Sequence, residues 1–234
     1  MNYQTYTKFL KIAAACLSML VASACSEGGD SDGPAVDPEV VKAQEAEALA
    51  EASKLAEAAG GKGVWGDIVY GDPNAPVEII EYASLTCPHC ANFAANIFPK
   101  IKENYIDTGK VKFIYRNYVM NKYDMAASAV ARCKSPEVSK KLMSVFFARQ
   151  AAWLGTEDRE GALANLARRA GGISRTEFDR CVANQEMQKH LVKMTSDGAV
   201  RYNVNATPTL LVDGSKVLQT NDWEVVKAAI DAQL

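Results

Sequence analysis

The chain has 234 residues, 48% hydrophobic and 23% charged, with 26 basic residues against 28 acidic and a formal net charge of −2. That balance, with no basic patch interleaved with aromatics, argues against nucleic acid as a partner. Beyond the first two dozen residues no apolar run is long enough for a transmembrane helix, and no internal repeat is present.

Lys8 and Lys11 precede an apolar run from Ile12 to Val21 and the triplet Ala22-Ser23-Ala24. A positive segment, a short apolar core and a small-x-small site read as a secretory signal peptide over residues 1–24. Export places the chain in a periplasmic compartment, where disulfides persist. Cleavage after Ala24 leaves Cys25 first, and a cysteine there resembles the lipid acceptor of a bacterial lipoprotein. Ala22 departs from the Leu which that pattern prefers. The alternatives are a membrane anchor on Cys25 and an ordinary cleavage that leaves it a free thiol.

Residues 25–37 are rich in Ser, Gly, Asp and Pro and predict a flexible tether. Residues 38–63 form a spacer. Pro38 to Ala59 is rich in Ala, Glu and Lys, which predicts helix, and Gly60-Gly61-Lys62-Gly63 ends it. Its apolar stripe is thin: Val41, Leu49, Ala52, Leu55, Ala56 and Ala59. It is either a solvated spacer or an arm over 38–59 that joins copies into a homo-oligomer.

Residues 64–234 have the length of one domain. Gly71-Asp72-Pro73-Asn74-Ala75-Pro76 is a turn signal that launches a strand at Val77. Phe93, Ile97 and Ile101 recur on one face of a helix over Ala91 to Ile101. Thr108-Gly109 breaks the chain, and Val111, Phe113 and Tyr115 form the apolar face of a second strand. Strand, helix, strand implies a parallel pair. From Lys122 to about Val200 the pattern is helical, with Ser135-Pro136 and the capping box Ser174-Arg175-Thr176-Glu177 as helix starts. Thr209 to Val212, Asp213-Gly214 and Lys216 to Leu218 then predict a hairpin, and Trp223 to Leu234 a final amphipathic helix. The order βαβ, helical block (about 122–200), ββα predicts one α/β domain whose mixed sheet is interrupted by an inserted all-helical block.

Cys87-Pro88-His89-Cys90 lies where the first strand gives way to the first helix. Free backbone N–H groups and the helix dipole at that end favour an anion, here the Cys87 thiolate. Cys90, three positions on, is placed to close a short disulfide with it. The rival reading is half a zinc site. Zinc takes about four ligands, and this chain has no second Cys-x-x-Cys and only two histidines, His89 and His190. Glu81 sits in an apolar strand, between a buried acid that could take a proton and a solvated strand residue. His190 reads as a helix-surface residue. Cys133 and Cys181 are either two separate buried thiols or a structural disulfide, and export with an even count once Cys25 is set aside favours the bridge.

Glu81-Tyr82-Ala83-Ser84-Leu85-Thr86-Cys87-Pro88-His89-Cys90, the helical insertion and Thr207-Pro208 before the ββα half resemble the DsbA family of thioredoxin-fold thiol-disulfide oxidoreductases. The resemblance covers nearly all of Val64 to Leu234 and none of the chain before Gly63. It implies the thioredoxin fold, Cys87 as the exposed nucleophile and Cys90 as the buried resolving thiol. It implies that Pro88 and His89 set the redox poise and that Glu81 assists proton transfer at Cys90. A cis Thr207-Pro208 bond would face the disulfide and offer Thr207 backbone groups to an extended substrate, and Pro99 would kink the active-site helix. Some members of the family carry a second disulfide in the insertion, as Cys133 and Cys181 would.

The function so implied is oxidation of dithiols in unfolded or folding exported proteins, with a membrane redox partner to restore the disulfide and no cofactor or metal beyond it. One alternative is an isomerase or reductase acting as an oligomer. Another, from a different class, is a tethered metal-binding or chaperone module that uses Cys87, His89 and Cys90 as soft ligands.

Overall fold

The computed structural model describes residues 63–234 except Ser215, together with Glu39, Ala43, Ala46, Glu47, Ala50 and Lys54. Those six positions are helical and exposed, within the stretch predicted to be helix. The signal segment, the tether, Cys25 and the rest of the spacer lie outside the described residues.

Five strands form one mixed sheet in the order β1-β3-β2-β4-β5. They are β1 (Ile68–Tyr70), β2 (Val77–Ala83), β3 (Val111–Asn117), β4 (Thr209–Val212) and β5 (Lys216–Leu218). β2 and β3 are parallel, with Glu81 opposite Tyr115, and every other pairing is antiparallel. β1 was not foreseen. Three residues carry no period, and the strand exists because β3 offers it a ladder from Phe113 to Tyr115.

The first helix starts earlier than its apolar spacing suggests and is broken: α1 (Pro88–Asn96) gives way to α2 (Phe98–Ile101) at Ile97. Pro99 explains the break, since its ring would meet the carbonyl of Ala95 and it has no N–H to donate. Lys102–Ile106 follows as a wider π-helical turn. The helical block contains α3 (Lys122–Ala131), α4 (Pro136–Ala148), α5 (Gln150–Leu154), α6 (Arg159–Gly171), α7 (Arg175–Val182) and α8 (Gln185–Tyr202). Local chemistry fixes their ends: Asn121, Ser135, Asp158, Ser174 and Asn184 each cap a start with a side-chain oxygen. Left-handed Gly172 closes α6. α9 (Trp223–Asp231) ends the domain.

Both faces of β2 are covered. Val77 and Ile79 pack with Phe93 of α1 and with Val226, Ala229 and Ile230 of α9. Ile80 and Tyr82 face the other way, with Ile114, Leu211 and Val204. α8 passes close to that second face at Gly198, where an added Cβ would lie 2.5 Å from the Tyr82 ring. At the end of the strand Ala83, Leu85, Cys87 and Cys90 join the largest apolar cluster with Phe146, Trp153, Leu163, Phe178 and Cys181. The inserted block therefore shares one core with the strand–helix turn that carries the cysteines.

Candidate active site

β2 runs into a short polar turn before α1. The Ser84 hydroxyl accepts from Thr86 N–H at 3.1 Å, and the Ser84 carbonyl accepts from Cys87 N–H at 3.2 Å. Asp124, from the first turn of α3, accepts from Leu85 N–H at 2.9 Å. Gln150, the first residue of α5, donates its amide to the carbonyls of Leu85 (3.0 Å) and Cys87 (2.9 Å). Neither Asp124 nor Gln150 was singled out from sequence. Asp124 could be read there only as an acid in a helix first turn, and Gln150 carries no local signal at all.

Cys87 is the N-cap of α1, and its carbonyl receives Ala91 N–H. Its thiol donates to the Thr207 carbonyl at 3.3 Å, across a separation of 120 residues. The Thr207–Pro208 peptide is cis. This loop covers the cysteine, so Cys87 is only 8% exposed and is not the exposed thiol that the resemblance implied; Cys90 is fully buried. Pro88 and His89 are exposed.

The two thiols are in opposed electrostatic settings. Cys87 is pushed down to about 5, chiefly by a hydrogen bond from the Cys90 thiol, then by Thr207 and the backbone N–H groups of Cys90 and His89. Burial works against that shift and is outweighed. Cys90 is raised far above an ordinary thiol by burial, by the same bond to Cys87 and by the charge of Glu81. His89 reaches Cys87 through its backbone N–H, a contact that any residue at that position would keep.

Glu81 lies behind the pair, 4% exposed, and its Oε1 has no hydrogen-bond partner. Burial and then the Cys87 charge push its carboxyl up to about 8. Tyr115, opposite Glu81 on β3, donates its hydroxyl to the Ala83 carbonyl at 3.2 Å.

The other singled-out residues lie elsewhere. Cys133, just after α3, is joined by a disulfide to Cys181 of α7, with Cα atoms 5.8 Å apart. His190 is half-buried with its ring edge against Trp65, centroids 5.8 Å apart, and is not a plain surface residue. Among the described residues no three His, Cys, Asp or Glu side chains converge to hold a metal ion. No described helix is long and apolar enough to cross a membrane.

Comparison with known proteins places this geometry. A family model described as Thioredoxin matches residues 64–232. A Rickettsia conorii protein, provisionally named a protein-disulfide oxidoreductase, is 32% identical over 171 residues, covering 72% of this chain and 60% of its own. Disulfide bond formation protein D of Bacillus subtilis is 30% identical over 176 residues, covering 72% of this chain and 78% of its own. The chain thus spans about 60% of the length of its rickettsial relatives. Among solved structures, a protein-disulfide isomerase from Novosphingobium aromaticivorans superimposes with TM-score 0.64 at 29% identity, over 74% of this chain and 98% of that one. Wolbachia pipientis alpha-DsbA1 gives TM-score 0.64 at 27% identity, over 72% and 90%. The chain belongs to the thioredoxin family, within its DsbA-like group.

Proposed function

We propose that this chain is an exported oxidase that introduces disulfides into folding envelope proteins through a Cys87–Cys90 disulfide. One observation carries the reading: the Cys87 thiol is pushed down to about 5 while its partner Cys90 is pushed up. A stabilised Cys87 thiolate is a good leaving group. It also favours the reduced enzyme, which makes the disulfide oxidising.

In the proposed cycle a substrate thiolate attacks Cys87 of the disulfide. A substrate–Cys87 bond forms, the Cys87–Cys90 bond breaks, and Cys90 leaves as a thiolate. Burial holds the Glu81 carboxyl well above an ordinary acid, and its proton can pass to that thiolate. A second substrate thiolate then attacks the substrate sulfur of the mixed disulfide and expels Cys87 as thiolate. In the dithiol the Cys87 S–H donates to the Thr207 carbonyl; as a thiolate the sulfur accepts from the Cys90 thiol. Pro88, His89 and Pro208 complete the site, and the Thr207 backbone is where an extended substrate would pair. The two electrons left on the dithiol need an acceptor, which we assign to a membrane redox partner; no further cofactor enters.

Thiol trapping in cells tests the direction. Cys87 and Cys90 found oxidised at steady state support the oxidase. Cys87 and Cys90 held reduced would replace it with the isomerase or reductase reading, which the name of the Novosphingobium structure favours. An oligomer built through residues 38–59 belongs with that second reading. Location rests on residues 1–24 and Cys25, and a lipid mass on Cys25 in the native N-terminal peptide would establish the anchor.

A further inference from the structure

The turn that presents Cys87 and the loop that faces it are far apart in sequence, and the start of α3 touches both. Asp124 is fully buried there. One of its oxygens accepts from Leu85 N–H at 2.9 Å and the other from Met120 N–H at 3.0 Å. The Thr207 hydroxyl donates to the Met120 thioether at 3.6 Å, and Thr207 is the residue against Cys87. Asn121, the cap of the same helix, donates its amide to the Thr86 hydroxyl at 2.8 Å. On the far side a buried relay answers the carboxylate. Ser128 donates to it at 3.4 Å, Asn117 donates to Ser128 at 2.8 Å, and Arg132 donates to Asn117 at 2.6 Å. Arg132 is also fully buried, so the cation and the carboxylate share one enclosed network.

We infer that Asp124 is a positioning residue for thiol exchange at Cys87: one carboxylate holds the Leu85–Thr86 turn and the Met120 segment whose thioether meets the Thr207 hydroxyl. The inference rests on the thiol chemistry proposed above. A carboxylate suits the task because two N–H donors arrive at two different oxygens. An asparagine has one acceptor oxygen and would turn its own NH2 toward one of those donors. A buried carboxylate is costly to keep. Its bonds here run to the two loops around the thiol, so the cost is met where the reaction occurs.

The test is the pH profile of iodoacetamide alkylation at Cys87 in the reduced full chain, with melting measured in parallel. Burial raises the Asp124 carboxyl to about 6, so the carboxylate is in place from about pH 6 upward. Asp124→Asn should move the alkylation midpoint up and slow alkylation between pH 6 and 7 by about twofold or more, as the contacts that hold Thr207 and the α1 N–H groups on the sulfur loosen. Val226→Ala, in the α9 core, should lower melting and leave the profile in place. Asn121→Ser keeps a helix cap and loses the reach to Thr86, so it should move the profile the same way by less; if Asp124→Asn does not fold, this variant decides between the outcomes. An unmoved profile, or an equal shift in Val226→Ala, overturns the inference. Dithiol oxidation by the unmodified protein is scored separately: its failure would remove the oxidase reading, while the alkylation profile would still report on Asp124.

Discussion

The molecule holds two cysteine pairs in one apolar cluster, and they have opposite characters. Cys87 and Cys90 share that cluster with Cys181, with Cys133 packed at its edge. Burial does not separate them, since Cys87 is 8% and Cys181 2% exposed. What differs is the polar company. The first pair sits at a helix start, with Glu81, Asp124, Gln150 and Thr207 brought in from β2, α3, α5 and the loop before β4. The second pair joins the end of α3 to α7 within the helical block. A buried thiol becomes reactive when donors converge on it, and otherwise it is an inert link.

The largest expected effect falls on the first pair alone. Cys87→Ser should abolish dithiol oxidation, because no sulfur remains at the position that substrates attack. Cys90→Ala should trap substrates as stable mixed disulfides on Cys87, visible on non-reducing gels. It should also raise the Cys87 pKa, since the Cys90 thiol is the largest single cause of the lowering. If Cys90 were the thiol alkylated fastest at mildly acidic pH, the roles would be reversed.

The second pair should answer only in stability. It closes a span of 48 residues, and by loop entropy its removal should cost about 4 kcal/mol. Urea unfolding of the double Cys133→Ala, Cys181→Ala variant measures that loss, and its Cys87 alkylation profile should match the parent. A changed profile would mean that the two pairs are coupled through their shared cluster.

Much of this contrast was legible in the sequence. Cys-x-x-Cys after an apolar strand run and before a 3.6-period run places a thiol at a helix start by local rules alone. The same rules found the caps at Ser135 and Ser174 and the hairpin at Asp213-Gly214. What escaped was long-range. β1 needs β3 to exist. Gln150 reaches Cys87 across 63 residues and Asp124 reaches Leu85 across 39. No window of sequence holds both ends of such a bond; the Thr207-Pro208 loop was set against the cysteines only by the family resemblance, and its contact with the Cys87 thiol comes from the fold.

Glu81 sharpens the comparison through pH. In the dithiol protein, burial and then the Cys87 charge push its carboxyl up to about 8 against an ordinary 4.5. Between those values the native state holds more protons than the unfolded chain, so stability falls as pH rises through that window. The contribution is greatest below pH 4.5 and is lost above pH 8, a span worth a few kcal/mol at most, by about 1.4 per unit. In the oxidised protein Cys87 does not titrate and its charge no longer acts on Glu81, so burial alone holds the carboxyl up and the window closes at a lower pH than in the dithiol. There Glu81→Gln should flatten the slope that starts near pH 4.5, whereas an unchanged slope would assign it to another group. In the reduced protein Cys87 acts with the opposite sign: its depressed pKa adds stability present above pH 9 and lost as pH falls through about 5.

His89 should give the smallest effect. Its backbone N–H is one of the four interactions that lower Cys87, and it is the last in size. The imidazole itself is exposed to solvent. His89→Leu keeps the N–H and the helix dipole and removes only the ring. The Cys87 pKa should still rise and the disulfide become less oxidising, because a polar ring beside the thiolate gives way to an apolar side chain. The change should be about tenfold or less in the exchange equilibrium, which is about 30 mV for a two-electron couple. Equilibration with glutathione reads that shift directly. A shift in Cys87 pKa equal to that of Cys90→Ala would move the leading role from the neighbouring thiol to the imidazole, and the contrast between the two pairs would then rest on one side chain.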